Sequence, residues 1–157
     1  MNTLILSKLG QIYRTELLAV TSINELKENI FGRENIHHLT AFARIHQNNL
    51  ETLADVFEVM RFSPADDVSI PSTVQKLVEK KDFPDRFLFS WLCEFEARLG
   101  DQYSKVTKLH EANPKSLPIS VWRKLEKVRH AHEELALDVS RAADRTTGIL
   151  DPSVWNI

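Results

Sequence analysis

Residues 9–30 read LGQIYRTELLAVTSINELKENI, and this stretch decides the fold. Its apolar side chains recur at intervals of three and four residues, which is the pattern of one face of an amphipathic α-helix. The residues on this face are Leu9, Ile12, Glu16, Ala19, Ile23, Leu26 and Ile30. A single carboxylate, Glu16, interrupts the apolar face. The stretch therefore predicts a long helix that packs against a core and points one acidic side chain inward.

Three further segments have the same character, because proline is absent from them or lies only at an edge. The four predicted helices span residues 3–30, 35–61, 85–111 and 119–145. Each would be roughly 27 residues and about 40 Å long. Asn35, Asp85 and Ser120 stand at helix starts, where a side-chain oxygen can cap the first free N–H groups.

The connections between these helices predict their topology. Residues 31–34 and 113–118 form short joints, whereas residues 62–84 form a long one that contains a smaller helical piece beginning near Ser72. Short loops force neighbouring helices to be antiparallel, while a long connection lets the third helix run parallel to the second. The sequence predicts an all-α four-helix bundle over residues 1–145, with one long crossover between helices 2 and 3. Residues 146–157 are predicted to form a strap on the bundle or on a partner.

Length and composition restrict the alternatives. The chain has 157 residues, enough for one domain, and its 43% apolar and 27% charged residues are typical of a soluble globular protein. Four glycines and six prolines provide few tight turns for a β-sandwich or barrel. Motifs of phosphate-binding loops, paired-cysteine zinc sites and nucleophilic hydrolases are absent from the sequence.

Charge and hydropathy restrict the partners. The net charge of −2 provides no general field for binding nucleic acid, and no apolar run is long enough to span a bilayer. The single cysteine, Cys93, cannot form an internal disulfide, and it is predicted to be a small buried side chain. We therefore expect a cytoplasmic protein without nucleic-acid or membrane partners, except that a membrane could be met as a surface contact. A homo-oligomer, most simply a dimer, is the expected assembly.

The other three helices also carry one polar residue within an apolar face. The second face contains Leu39, Phe42, His46, Leu50, Leu53 and Phe57; the third Phe89, Leu92, Glu96, Leu99, Tyr103 and Val106; the fourth Trp122, Leu125, Val128, His132, Leu135, Val139 and Ala142. A competing register of the third helix, through Leu88, Trp91, Phe95 and Leu99, would turn Glu96 to the edge and favour Glu94.

Glu16, His46, Glu96 and His132 all lie near the middle of their helices. Burying an unpaired carboxylate or imidazole costs several kcal/mol, so these groups need one another or a cation as partners. Two carboxylates and two imidazoles suit iron, zinc or manganese. The sequence predicts a site formed by these four residues that holds at most one such ion. The alternative is a polar cluster without metal.

The second half of the chain carries a family resemblance. Its residues are Cys93-Glu94-Phe95-Glu96, Asp101-Gln102-Tyr103, Leu117-Pro118, Val121, and His132 with Leu135. With the helix spacing over residues 3–145, they resemble the ferritin-like superfamily, in particular rubrerythrin-type bundles and small bacterial ferritin-like proteins of unknown function.

That resemblance implies a metal site in the bundle core, but the ligand set is incomplete. The family pattern carries Glu-x-x-His on the second and fourth helices, whereas Ala43 and Arg129 stand three residues before the two histidines. A di-iron oxidase is therefore not expected. Arg129 is expected either to oppose a second metal ion or to neutralise Glu16 or Glu96 directly.

Two functions are compatible with these features, and neither includes an identified substrate or catalytic residue. The first is a ferritin-like bundle that binds one transition metal. The second is a non-catalytic interaction or dimerisation module, in which Phe87-Leu88-Phe89 and residues 154–156 contribute to a dimer seam. His130, Glu133 and Glu134 are expected to face solvent in either case.

Overall fold

The computed structural model describes residues 3–28, 33–64, 69, 71–79 and 85–147. The described residues form five helices and no strand: α1 (Thr3–Glu28), α2 (Arg33–Met60), α3 (Ser72–Glu79), α4 (Asp85–Ala112) and α5 (Ile119–Thr147). The all-α class and the small helix beginning at Ser72 are thus confirmed. None of the described helices combines the length and the apolar character needed to cross a bilayer.

Two of the predicted capping residues, Asn35 and Ser120, lie inside their helices, although the predicted start of the last helix at residue 119 is confirmed. Helix α2 begins at Arg33, which places Asn35 inside its first turn rather than at the cap. Before α5, the carbonyl of Pro118 accepts a hydrogen bond from the backbone N–H of Trp122 at 3.0 Å, so Ser120 also lies inside the first turn. Proline is well placed there, because its fixed φ suits a helix start.

A left-handed residue ends α2. Arg61 has a φ of 54°, and the N–H of Phe62 donates to the carbonyl of Phe57 at 2.9 Å. A second bond joins the N–H of Arg61 to the carbonyl of Glu58 at 3.2 Å. This pairing satisfies two terminal carbonyls of the helix, although a side chain in this conformation costs roughly 1–2 kcal/mol.

The chain that leaves α2 packs directly onto α1. A β-carbon added at Gly10 would lie 3.5 Å from the Phe62 ring and 3.9 Å from Pro64. These distances are ordinary van der Waals contacts, so the start of the connection packs against this side of α1. Helix α3 then also packs on α1.

Each long helix packs against two others. Helix α1 contacts α2 and α4, and α5 contacts the same two helices, so α1 lies diagonally across from α5 and α2 across from α4. The apolar side chains form two clusters at opposite ends. The lower core contains the start of α1, the end of α2, the second half of α4 and the first half of α5. The upper core contains the remaining halves and Val74 of α3.

Membership of the two cores fixes the helix directions. Every adjacent pair of long helices is antiparallel, and the diagonal pairs are parallel. The connection between α2 and α4 must therefore travel from the lower end of the bundle to the upper end. The sequence predicted this path from the length of the connection at residues 62–84.

The predicted dimer seam is only partly at the surface. Leu88 and Phe89 are buried in the upper core, and only Phe87 is exposed, at 45%. The expectation that all three residues form a seam is therefore wrong. Residues 154–156 and most of the predicted strap lie outside the described residues, and α5 continues to Thr147, past the expected boundary.

Candidate functional site

A buried polar layer separates the two apolar cores. Its main residues are Glu16 of α1, His46 of α2, Glu96 of α4 and His132 of α5, and none is more than 3% exposed. The structure thus brings together all four residues that the sequence singled out. Glu94, by contrast, is exposed. The competing register of α4 is therefore wrong.

These four residues form a continuous hydrogen-bonded chain. His46 lies at its centre: Nδ1 is 2.5 Å from Oε2 of Glu16, and Nε2 is 2.6 Å from Oε1 of Glu96. The other oxygen of Glu96, Oε2, is 2.9 Å from Nε2 of His132. One imidazole therefore joins two carboxylates from different helices, and one carboxylate joins two imidazoles.

Two further side chains complete what we call the Glu–His network. The hydroxyl of Tyr103 donates to Oε1 of Glu16 at 2.6 Å, and Nδ2 of Asn49 donates to the same oxygen at 3.2 Å. Sequence reasoning placed Tyr103 on the apolar face but gave it no role in the site. Tyr103 lies seven residues after Glu96, and Asn49 lies one turn after His46. These spacings put both side chains on the same helix faces as the site residues, and they could have identified Tyr103 and Asn49 as neighbours of the site.

The carboxylates control the charge of His46. Burial alone would lower the pKa of this imidazole, but the nearby Glu16 and Glu96 carboxylates, Glu16 above all, raise its pKa from 6.5 to about 10. His46 is thus an imidazolium at neutral pH, with both ring nitrogens donating. One buried positive charge lies between two acidic groups.

The same contacts set the protonation of its neighbours. Burial acts to raise the pKa of Glu96, but its hydrogen bonds with His132 and His46 outweigh that effect, and the pKa falls below 4.5. Burial, together with the negative charge of Glu16, moves the pKa of Tyr103 well above 10. Glu96 is therefore an acceptor and Tyr103 a donor throughout the physiological range.

A surface groove between α4 and α5 reaches one end of the network. It has a volume of about 330 Å³ and is lined by Gly100, Asp101, Tyr103, Ser104, Thr107, Arg129, His132 and Glu133. A β-carbon at Gly100 would lie 3.4 Å from Cε1 of His132. The missing side chain therefore leaves the edge of this imidazole next to the groove, whereas Glu16 and His46 lie deeper.

Of the two roles expected for Arg129, direct neutralisation of Glu16 or Glu96 is wrong. Its guanidinium forms ion pairs on its own helix, at 2.7 Å with Glu126 and 3.0 Å with Glu133. Residues spaced by three or four are neighbours on a helix, so Glu126 and Glu133 hold the Arg129 guanidinium in ion pairs at the rim of the groove. His46 supplies the positive charge instead.

The remaining sequence candidates lie outside the network. His130, Glu133 and Glu134 are exposed, as expected. Cys93 is half-buried rather than fully buried, and burial raises the pKa of its thiol, which disfavours the reactive thiolate.

The donor types suit a transition metal, but their arrangement does not. A metal ligand needs an unprotonated nitrogen that points at the ion, whereas both nitrogens of His46 are held by different carboxylates on opposite sides of its ring. Within the described parts of the chain, no group of three or more His, Cys, Asp or Glu side chains is arranged to hold a metal ion. As placed, the residues do not fit a single ion.

Comparisons of the chain with protein-family models, with curated proteins and with solved structures gave no match.

Proposed function

We propose that this protein is a ferritin-like helical bundle that works as a non-catalytic interaction scaffold. In this proposal, a proton on His46 supplies the central positive charge that a metal ion would otherwise supply. The observation that carries the proposal is the position of the imidazole of His46, with one ring nitrogen on Glu16 and the other on Glu96. The ferritin-like assignment is supported by the antiparallel neighbours, the parallel diagonals and the crossover from α2 to α4.

The network gives the scaffold a definite helix register. Purely apolar cores tolerate alternative packings, whereas a buried polar group is satisfied only when its partner is at the right height. Sliding one helix by a turn would move its polar side chain by about 5.4 Å, further than a hydrogen bond can reach. The network thus favours one arrangement of α1, α2, α4 and α5.

The test is metal analysis combined with thermal unfolding. The protein is purified without an affinity tag and without added metal, and its metal content and melting temperature are measured with and without EDTA. We expect less than one tenth of an equivalent of metal and the same melting temperature in both conditions, since the charge is balanced within the chain. A lower melting temperature in EDTA would contradict the proposal.

A second candidate is a ferritin-like protein that binds one iron, zinc or manganese ion. It is favoured by the convergence of two carboxylates and two imidazoles from four helices in one layer. Binding would require His46 to lose a proton and release one carboxylate. A stoichiometric ion that is absent from the His46→Ala, His132→Ala double variant, and retained in the control His130→Ala, would establish this candidate. His130 is a suitable control because it is exposed on the same helix as His132.

A further inference from the structure

One corner of the bundle carries a local excess of positive charge. Residues 105–127 contain six lysines and arginines but only two acidic residues, a net +4 within a chain whose total is −2. This segment covers the end of α4, the loop that follows and the start of α5. The basic residues are Lys105, Lys108, Lys115, Arg123, Lys124 and Lys127, and together we call them the basic corner.

The antiparallel pairing of α4 and α5 brings these cations to the same end of the bundle. His110 stacks on Trp122, with ring centroids 3.7 Å apart, and Gly100 lies against His132. The same register puts Lys108 at the height of Lys124, and likewise Lys105 at the height of Lys127.

No counter-charge within the described structure neutralises the corner. All six side chains are exposed, and none forms an ion pair with any side chain of the described residues. Of the two acids in the segment, Glu126 is already paired with Arg129. The exposed carboxylates Glu51, Asp55 and Glu58 lie on α2, which is diagonal to α4 but packs against α5, and they form no ion pair with the corner. Within the segment, six cations still outnumber two acids. The corner therefore presents a positive face to solvent.

An apolar side chain stands among these cations. Ile119, the first residue of α5, is 71% exposed. Arg123 follows it by one turn on the same face of the helix, and Lys115 precedes it in the loop. Leu4 and Val59, also exposed, lie at the same lower end of the bundle.

We propose that the basic corner docks this protein on a membrane surface that contains anionic lipids. Lysines and arginines are attracted to the negative headgroups, and an exposed aliphatic side chain among them can enter the boundary between headgroups and acyl chains. Nucleic acid would satisfy the cations but would leave Ile119 in water, so the combination favours lipid. No helix needs to cross the bilayer. The inference names a partner for the proposed scaffold and rests on its being a folded bundle.

The test is sedimentation of the full chain with vesicles of phosphatidylcholine alone or with about one third phosphatidylserine. We expect binding only to the vesicles that contain phosphatidylserine, and loss of binding in 1 M salt, where the screening length falls to about 3 Å. Each cation near an anionic surface contributes roughly fivefold to the partition coefficient. The triple variant Lys108→Glu, Arg123→Glu, Lys124→Glu should therefore bind at least about 100-fold more weakly.

Two further variants separate the effect of overall charge from that of the corner, and test the exposed aliphatic side chain. The triple variant Arg33→Glu, Arg44→Glu, Arg98→Glu makes the same change in net charge at exposed positions outside the corner, and it should keep most of the binding. Ile119→Ser should weaken binding roughly tenfold, because it removes most of the aliphatic side chain that would enter the lipid. Circular dichroism verifies that each variant is folded.

Other outcomes would overturn the proposal. They are equal binding to both kinds of vesicle, no binding, equal losses in the two triple variants, or binding of RNA or DNA without binding of vesicles. Self-association that depends on the basic corner and occurs without lipid would assign the surface to a second copy of the chain. Metal content is measured on the same samples. A metal-loaded protein that still binds phosphatidylserine would refute the metal-free scaffold but leave the docking surface intact.

Discussion

Replacing His46 with leucine should be the most damaging single change in the polar layer. The imidazolium makes two buried contacts with carboxylates, at 2.5 and 2.6 Å, and hydrogen bonds to charged groups contribute roughly 1.5–3 kcal/mol each. The rise of its pKa from 6.5 to about 10 corresponds to a preference of about 5 kcal/mol for the protonated form in the folded state. The two hydrogen bonds together give about 3–6 kcal/mol and the pKa rise about 5 kcal/mol. We therefore expect a loss of about 3–5 kcal/mol, as is typical when one partner of a buried pair is removed.

The loss should come mainly from the charge left behind rather than from the missing contact. In His46→Leu, the carboxylates of Glu16 and Glu96 stay buried without the cation between them. The triple variant Glu16→Met, His46→Leu, Glu96→Met removes the charges together, and well-packed apolar replacements of buried ion pairs are often neutral or stabilising. We therefore expect the triple variant to recover at least half of the single variant's loss.

Urea unfolding followed by circular dichroism at 222 nm measures both effects through the free energy of unfolding. His130→Leu is the control, and it should change stability by less than about 0.5 kcal/mol because His130 is exposed. A loss below about 1 kcal/mol in His46→Leu would refute the assigned charge of His46. A triple variant less stable than the single variant would refute the claim that unpaired charge dominates the cost.

Three further predictions concern other parts of the molecule. The free energy of unfolding, measured by urea titration at several pH values, should be highest near pH 5–6. Because the pKa of His46 is raised, its contribution to stability is complete below about pH 6.5 and is lost as pH rises toward 10. Because the pKa of Glu96 is lowered, its contribution to stability is complete above about pH 4.5 and is lost as pH falls. A stability that rises from pH 7 to 9 would contradict this prediction. Tyr103→Phe removes a donor to the Glu16 carboxylate and should lower the free energy of unfolding by about 1.5–3 kcal/mol in the same assay. An unchanged free energy of unfolding would be evidence against this hydrogen bond. Arg61→Gly should raise the melting temperature by a few degrees, because glycine accepts the positive φ of this residue without steric cost. A lower melting temperature would show that the arginine side chain stabilises the fold by more than its backbone strain destabilises it.

The helices and the main site residues could be predicted because both depend on periodicity. An apolar face with a 3.6-residue period identifies a helix, and a polar residue on that face must be buried when the helix packs. Glu16, His46 and His132 followed directly from this reasoning. For Glu96 the pattern allowed two registers, and only the packing of α4 against α1 and α5 decides between them.

The connections within the site were harder to predict, because they depend on side-chain geometry. No pattern in the sequence indicates that His46 uses both ring nitrogens, or that the hydroxyl of Tyr103 reaches α1. The prediction that Arg129 neutralises Glu16 or Glu96 was wrong, because it rested only on the position of Arg129 three residues before His132. The acids one turn before and after it offered closer partners, and those local pairs form instead.

The parallel orientation of α1 and α5 has a practical consequence for engineering this chain. Since α1 starts at the lower end and α5 finishes at the upper end, Thr3 and Thr147 stand a full helix length apart, about 40 Å. A circular permutant would need roughly twelve extended residues to close that distance. In a tandem fusion the linker would leave from the upper end of one copy and enter the lower end of the next, so it would not have to run back along a bundle.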